Sequence, residues 1–162
     1  MTQIYVENPR KILREKKEIE KTLDIKFSIK ENILQIQAQP EKDFIALEFF
    51  EALNLGFKIP DALLLKEEEI VFEKINIKDH TKRNDLAGVR GRIIGRHRKS
   101  LDTLENLTNC IIALKDNSIG IIGRKEDIEK ANLALIRIIK GAKHSNIYSH
   151  LEKINAEERT FL

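Results

Sequence analysis

One cysteine, Cys110, is all that the 162 residues contain, which excludes an intrachain disulfide and leaves no cysteine cluster to ligate zinc. A reducing, cytoplasmic setting is therefore expected. Long apolar runs are also missing: no stretch approaches the roughly 18 residues that a membrane span needs, and the opening MTQIYVENPRK has no apolar h-region. A soluble protein is expected. The four histidines, His80, His97, His144 and His150, show no metal-ligand spacing with a carboxylate on a shared face. No metal and no cofactor are expected.

Charge of one sign is scarce as well, since the formal net charge is only +3, but its distribution is uneven. Residues 1–78 hold 13 Lys/Arg against 15 Asp/Glu, whereas residues 79–162 hold 16 against 11. Within the second half, Lys82, Arg83, Arg90, Arg92, Arg96, Arg98 and Lys99 face a single acid, Asp85, so half of all the arginines lie between Lys82 and Lys99. That segment has neither the clustered carboxylates nor the acid–base pair that phosphodiester cleavage uses. No catalytic residue is assigned, and a non-enzymatic protein is expected.

What the chain does have is an internal repeat. Shifting the numbering by 85 superposes two apolar patterns without a gap: Ile19 on Leu104, Ile25 on Cys110, Phe27 on Ile112, Leu34 on Ile119, Ile36 on Ile121, Ala46 on Ala131, Phe50 on Leu135 and Gly56 on Gly141. In the second copy, alternation predicts a strand over Ile70–Ile77. Asn84 or Asp85 then caps a helix whose apolar residues Leu86, Val89, Ile93 and Ile94 recur at helical spacing until Gly95. Ser100 is expected to cap a second helix carrying Leu101, Leu104 and Leu107. Strands Cys110–Leu114 and Ser118–Ile122 flank an Asp116-Asn117 turn, and an amphipathic helix runs over Glu126–Lys140. The first copy repeats this with strands near Gln3–Val6, Lys26–Ile29 and Ile33–Ala38 and helices near Glu15–Leu23 and Glu41–Leu53. Its first helix and following turn are expected to be shortened or lost. The fold class is α+β, each repeat a three-stranded antiparallel sheet with helices on one face.

Between the two helices of the second copy lies RGRIIGRHRK, Arg90–Lys99. Gly95 allows a sharp bend and close approach of another molecule, and the start of the next helix turns its free amides to the same place. Arg90, Arg92, Arg96, His97, Arg98 and Lys99 add donors, arginine matching phosphate through its planar fork. These residues and Gly95 form a candidate phosphodiester-binding site. Asp102 and Glu105 read as helix-end electrostatics and a solvent face, Tyr148 as a packing residue, and Cys110 as a small core residue.

The segment from Gly88 to Lys153, through GRIIGR, Lys99-Ser100, LENLT, Ile119–Gly123 and GAKHSNIY, closely resembles the second KH domain of the archaeal and eukaryotic small-subunit ribosome assembly factor with two KH domains. The resemblance implies tandem type I KH folds and binding of single-stranded RNA near the 3′ end of small-subunit rRNA. It also implies docking of a PIN-domain endonuclease and contact with a translation initiation factor subunit. Two departures stand out. Arg98 occupies the place of the second glycine of the G-x-x-G loop, and the first repeat has Arg10-Lys11-Ile12-Leu13 where the loop would be. The expected organisation is a degenerate first repeat over 1–69, a second KH domain over 70–155 and a tail over 156–162. The alternative is a protein-docking adaptor that binds RNA only weakly.

Overall fold

In the computed structural model, residues 2–160 are described, and the chain divides into two compact units, one up to Phe72 and one from Glu73 onward. The first contains β1 (Thr2–Tyr5), α1 (Pro9–Arg14), α2 (Lys16–Leu23), β2 (Lys26–Lys30), β3 (Ile33–Gln37), α3 (Pro40–Asn54) and α4 (Ile59–Ala62). Then follow β4 (Ile70–Asn76), α5 (Leu86–Ile94), α6 (Lys99–Thr108), β5 (Ile111–Lys115), β6 (Ser118–Arg124), α7 (Lys125–Ile139) and α8 (His144–Thr160). Residues 156–160 of the expected tail continue α8, and its last two residues lie outside the described ones.

Each unit has a three-stranded antiparallel sheet, ordered β1-β3-β2 and β4-β6-β5, so the last strand of each copy is central. In both, that strand leaves a hairpin closed by a two-residue turn, Glu31-Asn32 between Lys30 and Ile33 and Asp116-Asn117 between Lys115 and Ser118. The first turn residue is left-handed each time, with φ of +57° at Glu31 and +52° at Asp116. The same shift in numbering pairs Asp24 (φ +53°) with Asn109 (φ +58°), and Gly56 (φ +101°) with Gly141 (φ +100°). Around those glycines the long helices end alike, Phe57 N–H bonding to Ala52 O at 3.2 Å and Ala142 N–H to Arg137 O at 3.0 Å, the six-to-one closure of a Schellman cap. The repeat therefore extends from side-chain pattern to backbone dihedrals.

The cores follow the apolar correspondence. Ile19, Leu34 and Ile36 in the first unit are fully buried, as are Leu104, Ile119 and Ile121 in the second. Each such side chain contributes about 1.5–3 kcal/mol on leaving water. Phe50 is the aromatic centre of the first unit, 5.2 Å from Phe27 and 4.9 Å from Phe49, edge to face in both cases. In the second unit, α7 packs on β6, α5 and α6, and α8 packs on α6 and α7.

The missing piece of the first copy can be measured. Val6 N–H bonds to Asn32 O at 2.8 Å, and Ile77 N–H bonds to Asn117 O at 2.9 Å. Asn32 and Asn117 obey the shift of 85, but Val6 and Ile77 are only 71 apart in number, so fourteen residues are absent between first strand and second helix. In their place stands α1, whose cap Asn8 accepts the Lys11 N–H at 3.3 Å and which opens on Pro9, a residue suited to the first helical position. The helix expected from Glu15 starts at Lys16, with Glu15 as its cap. In the superposed numbering, α1 covers the places of Ile94–Lys99: where the second copy turns, the first is helical.

Candidate nucleic-acid interface

Asp85 starts α5 by accepting the Gly88 N–H at 3.0 Å, as the sequence leads one to expect of one of its two candidate caps. A Cβ on Gly88 would lie 2.3 Å from the Asp85 carboxylate as it stands, so any larger residue there would require that side chain to shift. The helix stops at Gly95, with φ +74° and ψ 171°, a region essentially restricted to glycine. The same position is packed as well as bent: a Cβ on Gly95 would lie 2.7 Å from the backbone nitrogen and the Cβ of Ser100. The chain then makes one tight turn, Arg96–Arg98, in which His97 (φ +52°) and Arg98 (φ +65°) are both left-handed. Among the described residues, Gly95, His97 and Arg98 are the positive-φ positions without a counterpart in the other copy. Among the described residues, the positive-φ positions peculiar to the second copy all sit in this turn.

Ser100 is not the cap of α6. Arg98 stands at that position without a side-chain bond to the helix amides, and Ser100 is buried one residue inside the helix, accepting the Tyr148 hydroxyl proton at 3.1 Å. The first amides of the ten-residue α6 therefore have no capping side chain. They form the anion-attracting end of the site. Arg96, His97, Arg98 and Lys99 are all exposed.

The donor side chains of the candidate set fall into three groups. Arg90 donates to Asn117 Oδ1 at 2.6 Å, and Arg92 donates to the carbonyls of Ile138 at 2.5 Å and Ala142 at 2.6 Å. Both guanidinium groups are half-buried ties within the unit. Arg98 donates to Asp102 Oδ1 at 2.8 Å and pairs with Glu105 Oε1 at 3.3 Å. Arg96, His97 and Lys99 have no side-chain hydrogen bond or ion pair among the described residues. Their donors face solvent.

Three contributors are not evident from spacing alone. Ile94, counted among the apolar residues at helical spacing, is 36% exposed beside the turn. Val89 and Ile93 occupy the buried stripe, and Ile94, about 100° further round the helix, falls off it. Glu105 is not merely a solvent-face acid: its Oε2 accepts the Ile112 N–H at 2.9 Å, as Glu20 does for Phe27 at 3.1 Å. The helix α8 braces the site, since His144 Nε2–H donates to Arg92 O at 2.8 Å, Tyr148 reaches Ser100, and Asn155 donates to Leu107 O at 2.9 Å. Further along it, Lys130 of α7 bonds Asp127 at 3.2 Å and Glu158 at 3.1 Å. The GAKHSNIY segment thus fixes both helices that flank the turn.

Among the described residues, no group of three or more His, Cys, Asp or Glu side chains could hold a metal ion. Cys110 is buried, and that burial pushes its thiol pKa up to about 11. The first copy offers no equivalent surface. Ile12, which corresponds to His97, is 3% exposed and belongs to the core of its unit.

Comparison with known proteins identifies the family of the chain. The chain is 31% identical over 145 residues to a KH domain-containing protein of Methanocaldococcus jannaschii, covering 85% of this chain and 64% of that protein. It is 33% identical over 140 residues to the RNA-binding protein pno1 of Drosophila pseudoobscura pseudoobscura, covering 82% and 59% respectively. The chain thus spans about three-fifths of the length of these curated relatives. A chain in the crystal structure of the a/eIF2alpha-aDim2p-rRNA complex from Pyrococcus horikoshii superposes with a TM-score of 0.85 at 27% identity, over 96% of this chain and 94% of that one. Residues 71–156 match the model of the second KH domain of PNO1, a eukaryotic-type KH domain of type I. The chain therefore belongs to the type I KH-domain family of the PNO1 kind.

Proposed function

We propose that this chain binds single-stranded RNA at the α5–α6 turn and does so on small-subunit rRNA, near its 3′ end, during ribosome assembly. The observation that carries the reading is the turn itself. Arg96, His97 and Lys99 present exposed, uncommitted donors where the bent backbone enters α6. Phosphates are held by these groups and by the α6 amides, while the exposed Ile94 gives an unstacked base an apolar surface. Arg90 and Arg92 keep the helices in place. The contribution of the chain is binding, with no chemical step.

The naming of pno1 as RNA-binding and the presence of rRNA with aDim2p in the Pyrococcus complex support this reading. The same complex supports an a/eIF2alpha-type subunit as a protein partner. A PIN-domain endonuclease is proposed as a further partner on the family resemblance. Titration of a fluorescent single-stranded fragment from the 3′ end of small-subunit rRNA, against the same fragment as a duplex and across a salt series, tests the central reading. Tight single-strand binding that weakens with salt is expected. Equal affinity for the duplex, or a flat salt response, would reject it.

One observation favours the adaptor alternative: the charge of Arg98 is already compensated by Asp102 and Glu105. Co-purification with the protein partners that survives loss of all RNA binding would support that alternative.

A further inference from the structure

Arg98 differs from its neighbours in what its side chain does. It stands where a second loop glycine is expected, and its backbone keeps the left-handed conformation at φ +65° and ψ 15°, which non-glycine residues rarely adopt. The guanidinium does not extend away from the turn. One nitrogen lies 2.8 Å from Asp102 Oδ1 and another 3.3 Å from Glu105 Oε1, and the group also reaches Ile112 O at 3.5 Å. Glu105 is itself held in place, because its second oxygen accepts the Ile112 N–H at 2.9 Å. Both backbone groups of Ile112, on the edge strand β5, are thus engaged by this cluster.

The charges matter as much as the bonds. Asp102 lies in the first turn of α6, next to the place where phosphate is proposed to sit. Without Arg98, two carboxylates would stand uncompensated beside that place. With it, the local sum is −1, and the cations Arg96 and Lys99 act on a largely neutralised background.

Resting on the RNA-binding reading above, we propose that Arg98 is a positioning residue and not a phosphate ligand. It holds the left-handed turn against α6 and masks Asp102 and Glu105, so that Arg96, His97 and Lys99 meet the RNA backbone. A residue contacting phosphate and a residue bracing the turn both weaken binding when removed, so affinity alone does not separate them. The salt dependence and the coupling to Asp102 do. A lost phosphate contact lowers the log–log salt slope by about 0.7 on single strands. A lost brace leaves the slope in place, and its effect depends on whether Asp102 carries charge.

The experiment is a double-mutant cycle on the full chain with the same fluorescent rRNA fragment: Arg98→Gln, Asp102→Asn and the two combined, each over a salt series. Arg98→Gln is expected to weaken binding about tenfold with an unchanged slope, from the loss of charge-assisted bonds. Asp102→Asn alone should stay within about twofold, because its charge is already masked, yet in the Arg98→Gln background it should recover about fivefold. Arg98→Gly, although it restores the glycine, should also weaken binding unless Asp102→Asn accompanies it. A slope reduced by about 0.7, with additive effects of the two substitutions, overturns the proposal. Failure of the unsubstituted chain to bind single strands in a salt-dependent way would instead overturn the function proposed above. In that case urea denaturation of the same four proteins decides the brace separately: coupling between positions 98 and 102 supports it, and additivity overturns it.

Discussion

Glu105 accepts the backbone N–H of Ile112 at 2.9 Å, and at the matching place in the first copy Glu20 accepts that of Phe27 at 3.1 Å. In each copy a carboxylate on the second helix thus satisfies a strand amide directed away from the hairpin partner. Glu105→Ala is expected to lower stability by about 1–3 kcal/mol, because the Ile112 N–H loses its acceptor in a part-buried place. Glu105→Gln keeps an acceptor oxygen and should recover much of this. Urea midpoints at constant m-value measure both. Equal losses for the two variants would show that charge and not the strand bond was removed.

Gly95 and Gly91 make a matched pair. Alanine at Gly95 must adopt φ +74° and place its Cβ 2.7 Å from the Ser100 nitrogen, whereas at Gly91 nothing lies within 4 Å. Gly95→Ala should lower stability by about 1–3 kcal/mol and abolish tight RNA binding. Gly91→Ala, inside α5, should raise stability by about 0.5–1 kcal/mol. Denaturation curves and RNA titrations on the two proteins check this. Similar effects would mean that the bend at Gly95 is not what shapes the site.

The two copies should differ in how they use charge. Replacing Arg96 and Lys99 by Gln removes two uncommitted cations at the start of α6, and the salt slope should fall by about 1.4, or 0.7 per phosphate contact. Replacing Arg10 and Lys11 removes the same charge from α1, where the neighbouring Ile12 is packed into the core. Little change in slope is expected there. Equal reductions would indicate non-specific attraction by net charge.

Cys110 supplies a dependence on pH. Burial holds the native thiol pKa at about 11, above the 9.0 of an ordinary thiol, so between these values the unfolded chain loses a proton that the native chain keeps. Stability should fall as pH rises through that window. Cys110→Ala should flatten this part of the stability profile. Native protein should also resist iodoacetamide near pH 8 until it is unfolded, which intact-mass measurement before and after urea treatment would reveal.

Co-purification can address the protein partners. An immobilised chain should retain an a/eIF2alpha-type subunit and a PIN-domain endonuclease after ribonuclease treatment. Loss of either on removal of RNA would make that association RNA-mediated.

The order of elements in the second copy is legible because its apolar residues recur at helical or strand spacing, and the constant shift in numbering carries that reading into the first copy. Ser100 is misplaced by the sequence because serine is a common cap, whereas its burial and its bond to Tyr148 depend on α8. The occupation of Arg90 and Arg92 is equally illegible: their acceptors Asn117, Ile138 and Ala142 come from distant parts of the chain. The Arg98–Asp102 pair is different. Its i,i+4 spacing is a known helix-surface signal, and it is hidden because Arg98 lies at the boundary of the helix, not within it.

The burial of Ile12 at the place that His97 occupies in the second copy makes the difference between the copies irreversible by simple means. Writing Gly-Arg-His-Arg over residues 10–13 would not graft a second RNA site onto the first repeat. It would withdraw an apolar anchor, put a polar ring in its place, and still leave the segment fourteen residues too short to form both a preceding helix and a turn. An engineer seeking a bivalent binder from this chain would have to insert sequence before changing any, so the more direct route to avidity is to join two copies of the second domain.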